Sequence, residues 1–96
     1  MREAVSQTDV STVLTRTRRY VHETFLYMRP AFVLGDHDRL LEKGVIDSMG
    51  VLELIGFLQA EFGISVPDVD ITEANLGTLA DIARYVESRR GNTASP

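Results

Sequence analysis

The segment Gly44–Gly63, GVIDSMGVLELIGFLQAEFG, constrains the fold of this chain more than any other. At about 100° per residue, Val51, Leu54, Ile55, Leu58 and Phe62 fall on one stripe, the signature of an amphipathic helix. Asp47 and Ser48 stand at its start, where a side-chain oxygen satisfies an orphan backbone N–H. Gly63 stands at its end, where a left-handed residue closes a helix without a Cβ penalty. The predicted helix is therefore Ser48–Phe62. Met49, Leu52, Gly56 and Phe57 point away from the centre of the stripe, beside Glu53. Apolar side chains thus appear on both faces of this helix.

Upstream, Val10, Val13, Leu14, Thr17, Val21, Phe25 and Met28 recur at the same period. They predict a helix that starts near Asp9 or Ser11 and runs to Arg29, because Pro30 disfavours helical geometry in the residue before it. The connection PAFVLGDHDRLLEKGVID is too rich in Pro, Gly and Asp for a long helix. Its Phe32, Val33, Leu34, Leu40, Leu41, Val45 and Ile46 are expected to pin it to the core. Downstream, Pro67 and Asp68 predict a turn, and Thr72 to Asn75 a single helical turn. Gly77 or Thr78 opens a last helix with Leu79, Ile82, Ala83 and Val86 on one face. The expected fold is all-α: long helix, long loop, helix, short helix, helix. Residues 9–90 form the domain, with flexible tails at 1–8 and 91–96. Tyr20, Tyr27 and Tyr85 are expected to be half-buried with solvated hydroxyls.

Composition narrows the function. The chain has no cysteine, which excludes disulfides, a thiol nucleophile and thiolate metal sites. No apolar run approaches the length that spans a bilayer, so no membrane insertion is expected. The N-terminus lacks the hydrophobic core of a signal peptide, which points to a cytoplasmic protein. Net charge is −4 but uneven. Residues 1–30 carry five arginines against Glu3, Asp9 and Glu23, whereas residues 31–83 carry Arg39 and Lys43 against ten acids. An acidic middle points to basic partners rather than nucleic acid. Monomer is the expected state.

Ser48 is the place to test for chemistry. A nucleophilic serine needs a general base and an oriented partner for that base. The two histidines, His22 and His37, belong to no catalytic signature, and no glycine pair flanks Ser48 as a nucleophile elbow requires. A small hydrolase is the last of three readings. Asp36, His37 and Asp38 are metal-ligand types, but adjacent loop residues rarely share one ion and no second cluster completes a site. No metal is expected. Arg16, Arg18 and Arg19 spread around a helix and read as a solvated face. Two readings of Ser48 remain. It is a helix cap in an interaction module that binds a partner through the Met49, Leu52 and Phe57 face, or it carries a phosphodiester. A helix N-terminus welcomes a phosphate through its partial positive charge and free donors.

The wider pattern favours the second. Gly44-x-x-Asp47-Ser48-Met49, then Glu53-Leu54, then Glu61-Phe62-Gly63 and Pro67, resembles the acyl, peptidyl and D-alanyl carrier proteins. The resemblance covers roughly Asp38 to Val86, and DSMG is most similar to the D-alanyl-type and stand-alone carriers. It implies a four-helix carrier-protein bundle with a long first loop and a short third helix, and no catalytic activity of its own. It implies 4′-phosphopantetheine as the covalent cofactor, moved from coenzyme A onto Ser48 by a phosphopantetheinyl transferase. The arm then holds an acyl or aminoacyl group as a thioester. Asp47, the adjacent motif acid, would help to present Ser48. Met49, Leu52, Glu53 and Gly56 would form the docking patch for partner enzymes. One departure stands out: Gln59 and Ala60 occupy positions where fatty-acid carriers often place acids. That favours a dedicated adenylating ligase for an acyl or amino acid, and a downstream acyl-accepting enzyme, over fatty-acid synthase partners.

Overall fold

A computed structural model describes the chain from residue 10 to residue 94, with side-chain surroundings to residue 90. The expected tail over 1–8 lies outside the described residues. Four helices form: α1 (Val10–Phe25), α2 (Ser48–Phe62), α3 (Glu73–Leu76) and α4 (Leu79–Ala94). A 3-10 turn over Asp68–Asp70 precedes α3. No strand forms among the described residues, so the all-α bundle is the observed fold. The backbone of α4 runs to Ala94, past the expected domain limit at 90.

The core is one cluster. Val13, Thr17 and Val21 of α1 meet Leu79, Ile82, Ala83 and Val86 of α4, all fully buried, and these two helices pack most extensively on each other. Leu54, Ile55, Leu58 and Phe62 of α2 close the same core, with Val51 half-buried at its edge. The stripe expected for α2 is thus the buried one, and the stripe expected for α4 is fully buried.

α1 stops at Phe25, four residues before the predicted end. The cause is Leu26, which is only 1% exposed. At about 100° per residue, Leu26 lies roughly 140° away from Val21 on an ideal helix. It reaches the core only if the chain leaves the helix there. Its N–H still bonds the carbonyls of Val21 and His22, and Arg29 N–H then bonds the Leu26 carbonyl, which turns the chain into the long loop. Met28, expected on the core stripe, is exposed as a result, and Val10, the first residue of α1, is exposed at the helix's other end.

The long loop is pinned as expected at Leu34, Leu40, Val45 and Ile46, all buried, with Phe32 half-buried. Val33 (87% exposed) and Leu41 (45%) are not pinned. Val33 lies between half-buried Phe32 and buried Leu34 and faces outward. Main-chain bonds tie the loop to the second half of the bundle: Leu40 N–H to Gly77 O at 3.0 Å, and Ala80 N–H to Asp36 O at 2.9 Å. Gly44 has φ +70° and ends the turn over 39–44, a conformation that costs glycine least. It delivers Val45 and Ile46 to the core and Asp47 to the start of α2.

The tyrosines divide. Tyr20 is half-buried, stacked on Phe57 at 4.1 Å, while Tyr27 is exposed. Tyr85 is buried rather than half-buried, and its hydroxyl donates to Asp70 Oδ2 at 2.7 Å.

Candidate functional site

Asp47, not Ser48, caps α2. Its backbone is extended, and its side-chain oxygen Oδ1 accepts the Gly50 N–H at 2.8 Å. Its carbonyl accepts the Val51 N–H at 3.0 Å, the first turn of the helix. Ser48 is the first helical residue and is exposed. Among the described residues, neither the Ser48 hydroxyl nor the N–H groups of Ser48 and Met49 have a hydrogen-bond partner. The site therefore presents a free hydroxyl at the positive end of a fifteen-residue helix. The reading of Ser48 as a helix cap is corrected: that role belongs to its neighbour.

Gly50 is the residue that sequence reasoning missed. It is buried, and a Cβ built on it would stand 2.6 Å from Ile46 Cγ1 and 3.0 Å from Phe25 Cε1. The first turn of α2 thus rests on Phe25, at the end of α1, and on Ile46. Tyr20 meets Phe25 edge-on at 5.8 Å. The aromatic series Phe25, Tyr20, Phe57 and Phe62 links the Ser48 end of the α1–α2 contact to its far end.

An apolar cavity of about 320 Å³ opens beside Ser48. Leu40 and Ile46 of the loop, Val51 and Leu54 of α2, and Ile71 and Leu76 around α3 line it. Met49 (72% exposed) and Leu52 (59%) stand out from the same end of α2, with Glu53 and Gly56 exposed on the same side. Phe57 is instead engaged with α1 through Tyr20. Glu61 is paired with Arg16 at 2.9 Å, so on α2 only Glu53 has a carboxylate outside an ion pair among the described residues.

The other sequence features fall into structural roles. Arg18 bonds the Leu34 carbonyl and the Asp36 carboxylate, holding the start of the long loop to α1. Asp38 Oδ2 accepts the Gly35 N–H at 2.8 Å, a local turn. Among the described residues no group of three or more His, Asp or Glu side chains is placed to hold a metal ion. No helix of the described residues is long and apolar enough to cross a membrane.

The comparison that decides the family is a match of residues 23–86 to the model of the phosphopantetheine attachment site. The chain belongs to the phosphopantetheine-attachment family. That family is defined by a site for covalently attached 4′-phosphopantetheine. Over 62 residues it is 36% identical to the D-alanyl carrier protein of Streptococcus pyogenes serotype M5, covering 65% of this chain and 77% of that one. Over 58 residues it is 28% identical to the acyl carrier proteins of Rickettsia massiliae and Rickettsia prowazekii, covering 60% of this chain. The chain spans 65% of the length of those acyl carrier proteins. The residues at the start of α2 fit a phosphate ester: an exposed hydroxyl, N–H donors beside it that are unbonded among the described residues, and an adjacent carboxylate that already accepts the Gly50 N–H.

Proposed function

We propose that Ser48 carries the 4′-phosphopantetheine arm and that the chain serves one pathway as a dedicated acyl or aminoacyl carrier. The observation that carries this reading is the exposed Ser48 hydroxyl at the N-terminus of α2, freed from capping by Asp47. In the loading step the Ser48 Oγ bonds to the phosphorus that bears pantetheine in coenzyme A. The pyrophosphate P–O bond breaks, adenosine 3′,5′-bisphosphate leaves, and the hydroxyl proton passes to a base on a phosphopantetheinyl transferase. When bound, the arm supplies the thiol that holds the acyl or aminoacyl group. This chain's own residues present the hydroxyl, stabilise the phosphate through the helix N-terminus, and offer a surface to partners.

Met49, Leu52, Glu53 and Gly56 form that docking surface. Its apolar side chains lie beside Ser48 at 72% and 59% exposure, and exposed apolar groups at this density mark an interaction site. With Glu61 occupied by Arg16, apolar contact outweighs charge in docking. The D-alanyl carrier relative supports an amino acid as cargo, loaded by an adenylating ligase and passed to a downstream acyl-accepting enzyme. Proteolysis and tandem mass spectrometry of the transferase-treated protein test the site: the arm is expected on the peptide that contains Ser48. A modified peptide lacking Ser48 contradicts the assignment. Exchange of labelled pyrophosphate into ATP by a candidate ligase, across the amino acids, then names the cargo.

A further inference from the structure

We propose that Gly50 is a positioning residue for the transfer of phosphopantetheine, acting through Asp47 and Ile46 on Ser48; this rests on Ser48 being the attachment site. Gly50 is two residues past Ser48, on the opposite side of the first turn, and is buried. Its φ is not in the left-handed region, so its conformation is open to any residue. The requirement is space. A Cβ there would lie 2.6 Å from Ile46 Cγ1, 3.0 Å from Phe25 Cε1 and 3.3 Å from Asp47 Oδ1. Cγ1 of Ile46 is not the tip of a flexible chain: Ile46 is only 6% exposed and is held among core residues.

The three atoms that crowd this point share one consequence. Ile46 directly precedes Asp47, and Asp47 directly precedes Ser48. The Gly50 N–H is itself the donor to Asp47 Oδ1 at 2.8 Å. A methyl group at 50 therefore pushes on the cap and on the chain entering the helix together. The first turn of α2 tilts away from Phe25 and Ile46, and the Ser48 hydroxyl moves with it. In-line displacement at phosphorus is sensitive to such shifts, since small misplacements of a reacting group cost orders of magnitude in rate. Intrinsic helix preference works the other way, since alanine favours the helix over glycine. Gly50→Ala is therefore expected to fold while presenting Ser48 wrongly.

The test is steady-state transfer from coenzyme A with one transferase and magnesium, read by intact mass, beside thermal melts of each variant. Gly50→Ala is expected to lose tenfold or more in kcat with KM within threefold. Adding Ile46→Ala makes room for the methyl group. The double variant is expected to recover most of that kcat although its melting temperature falls further. A purely structural role predicts the opposite, activity falling with stability. Phe25→Leu, which loosens the same floor from α1, is expected to lower kcat severalfold and keeps the test open should Gly50→Ala not fold. Wild-type kcat in Gly50→Ala or in Phe25→Leu overturns the proposal while leaving Ser48 as the site. Failure of the double variant to recover also overturns it. Absence of transfer to the wild type would overturn both this proposal and the assignment of Ser48.

Discussion

The Asp47 carboxylate accepts the Gly50 N–H at 2.8 Å and so relieves Ser48 of the task of capping α2. The two adjacent residues divide the labour that a helix start normally gives to one. The acid satisfies the helix, and the hydroxyl next to it stays free for modification.

That division sets opposite expectations for two alanine variants. Asp47→Ala removes the cap and is expected to cost about 1 kcal/mol of stability. Ser48→Ala removes an exposed, unbonded hydroxyl and is expected to change stability by less than about 0.5 kcal/mol. Urea denaturation followed by circular dichroism measures both. Equal losses would mean that Ser48 shares the cap.

Tyr85 links α4 to the turn before α3 and titrates far from its usual range. Burial pushes its hydroxyl up to about 12, and the hydrogen bond to Asp70 and the charge of that carboxylate add to the effect. A folded-state value above the unfolded one, 10.0, favours the fold fully below pH 10. Between pH 10 and 12 the unfolded chain loses the proton first, so stability falls as pH rises. The melting temperature is expected to drop over that window, and less steeply in Tyr85→Phe. The variant also leaves Asp70 without its donor and is expected to lose about 1 kcal/mol near neutral pH.

Gly56 differs from Gly50 in the same helix. Nothing lies within 4 Å of a Cβ built on it. Gly56→Ala is therefore expected to gain about 1 kcal/mol from helix preference alone, read as a higher urea midpoint with an unchanged slope. A loss would show that the open space beside Gly56 is filled in the folded protein.

The docking surface predicts a separation of stability from function. Leu52→Ser and Met49→Ser remove exposed apolar groups and are expected to leave the fold within about 0.5 kcal/mol. The KM of the loading ligase is expected to rise about tenfold in Leu52→Ser, the cost typical of a significant contact residue. Glu53→Gln is expected to reduce the salt dependence of the same KM, since Glu53 is the carboxylate left outside an ion pair on α2.

Much of this was legible in the sequence because local signals carried it. Asp47 and Gly63 bracket α2 chemically, so its bounds, Ser48–Phe62, follow from capping alone. Thr72 caps α3 through the Asn75 N–H, and Thr78 Oγ1 accepts the Asp81 N–H at the start of α4. The misses are tertiary. Leu26 ends α1 early because the core claims it, which no helical period shows. Val33 and Leu41 lie in a loop with no period to fix which side each takes. The crowding over Gly50 appears only when folding brings Phe25 across from α1. Tyr85 meets Asp70 through the packing of α4 on the turn before α3, so its hydroxyl could not be placed in advance. Family motifs pointed to Ser48, but the sharing of the helix start between Asp47 and Ser48 is set by the folded backbone, extended at Asp47 and helical from Ser48.

The most direct measurement is the intact mass of the protein after incubation with coenzyme A, magnesium and a broad-specificity phosphopantetheinyl transferase, with Ser48→Ala alongside. One phosphopantetheine gained by the wild type and none by the variant is the predicted result. A folded wild type that gains nothing with several transferases, or a Ser48→Ala protein that still gains the arm, would contradict the assignment of Ser48.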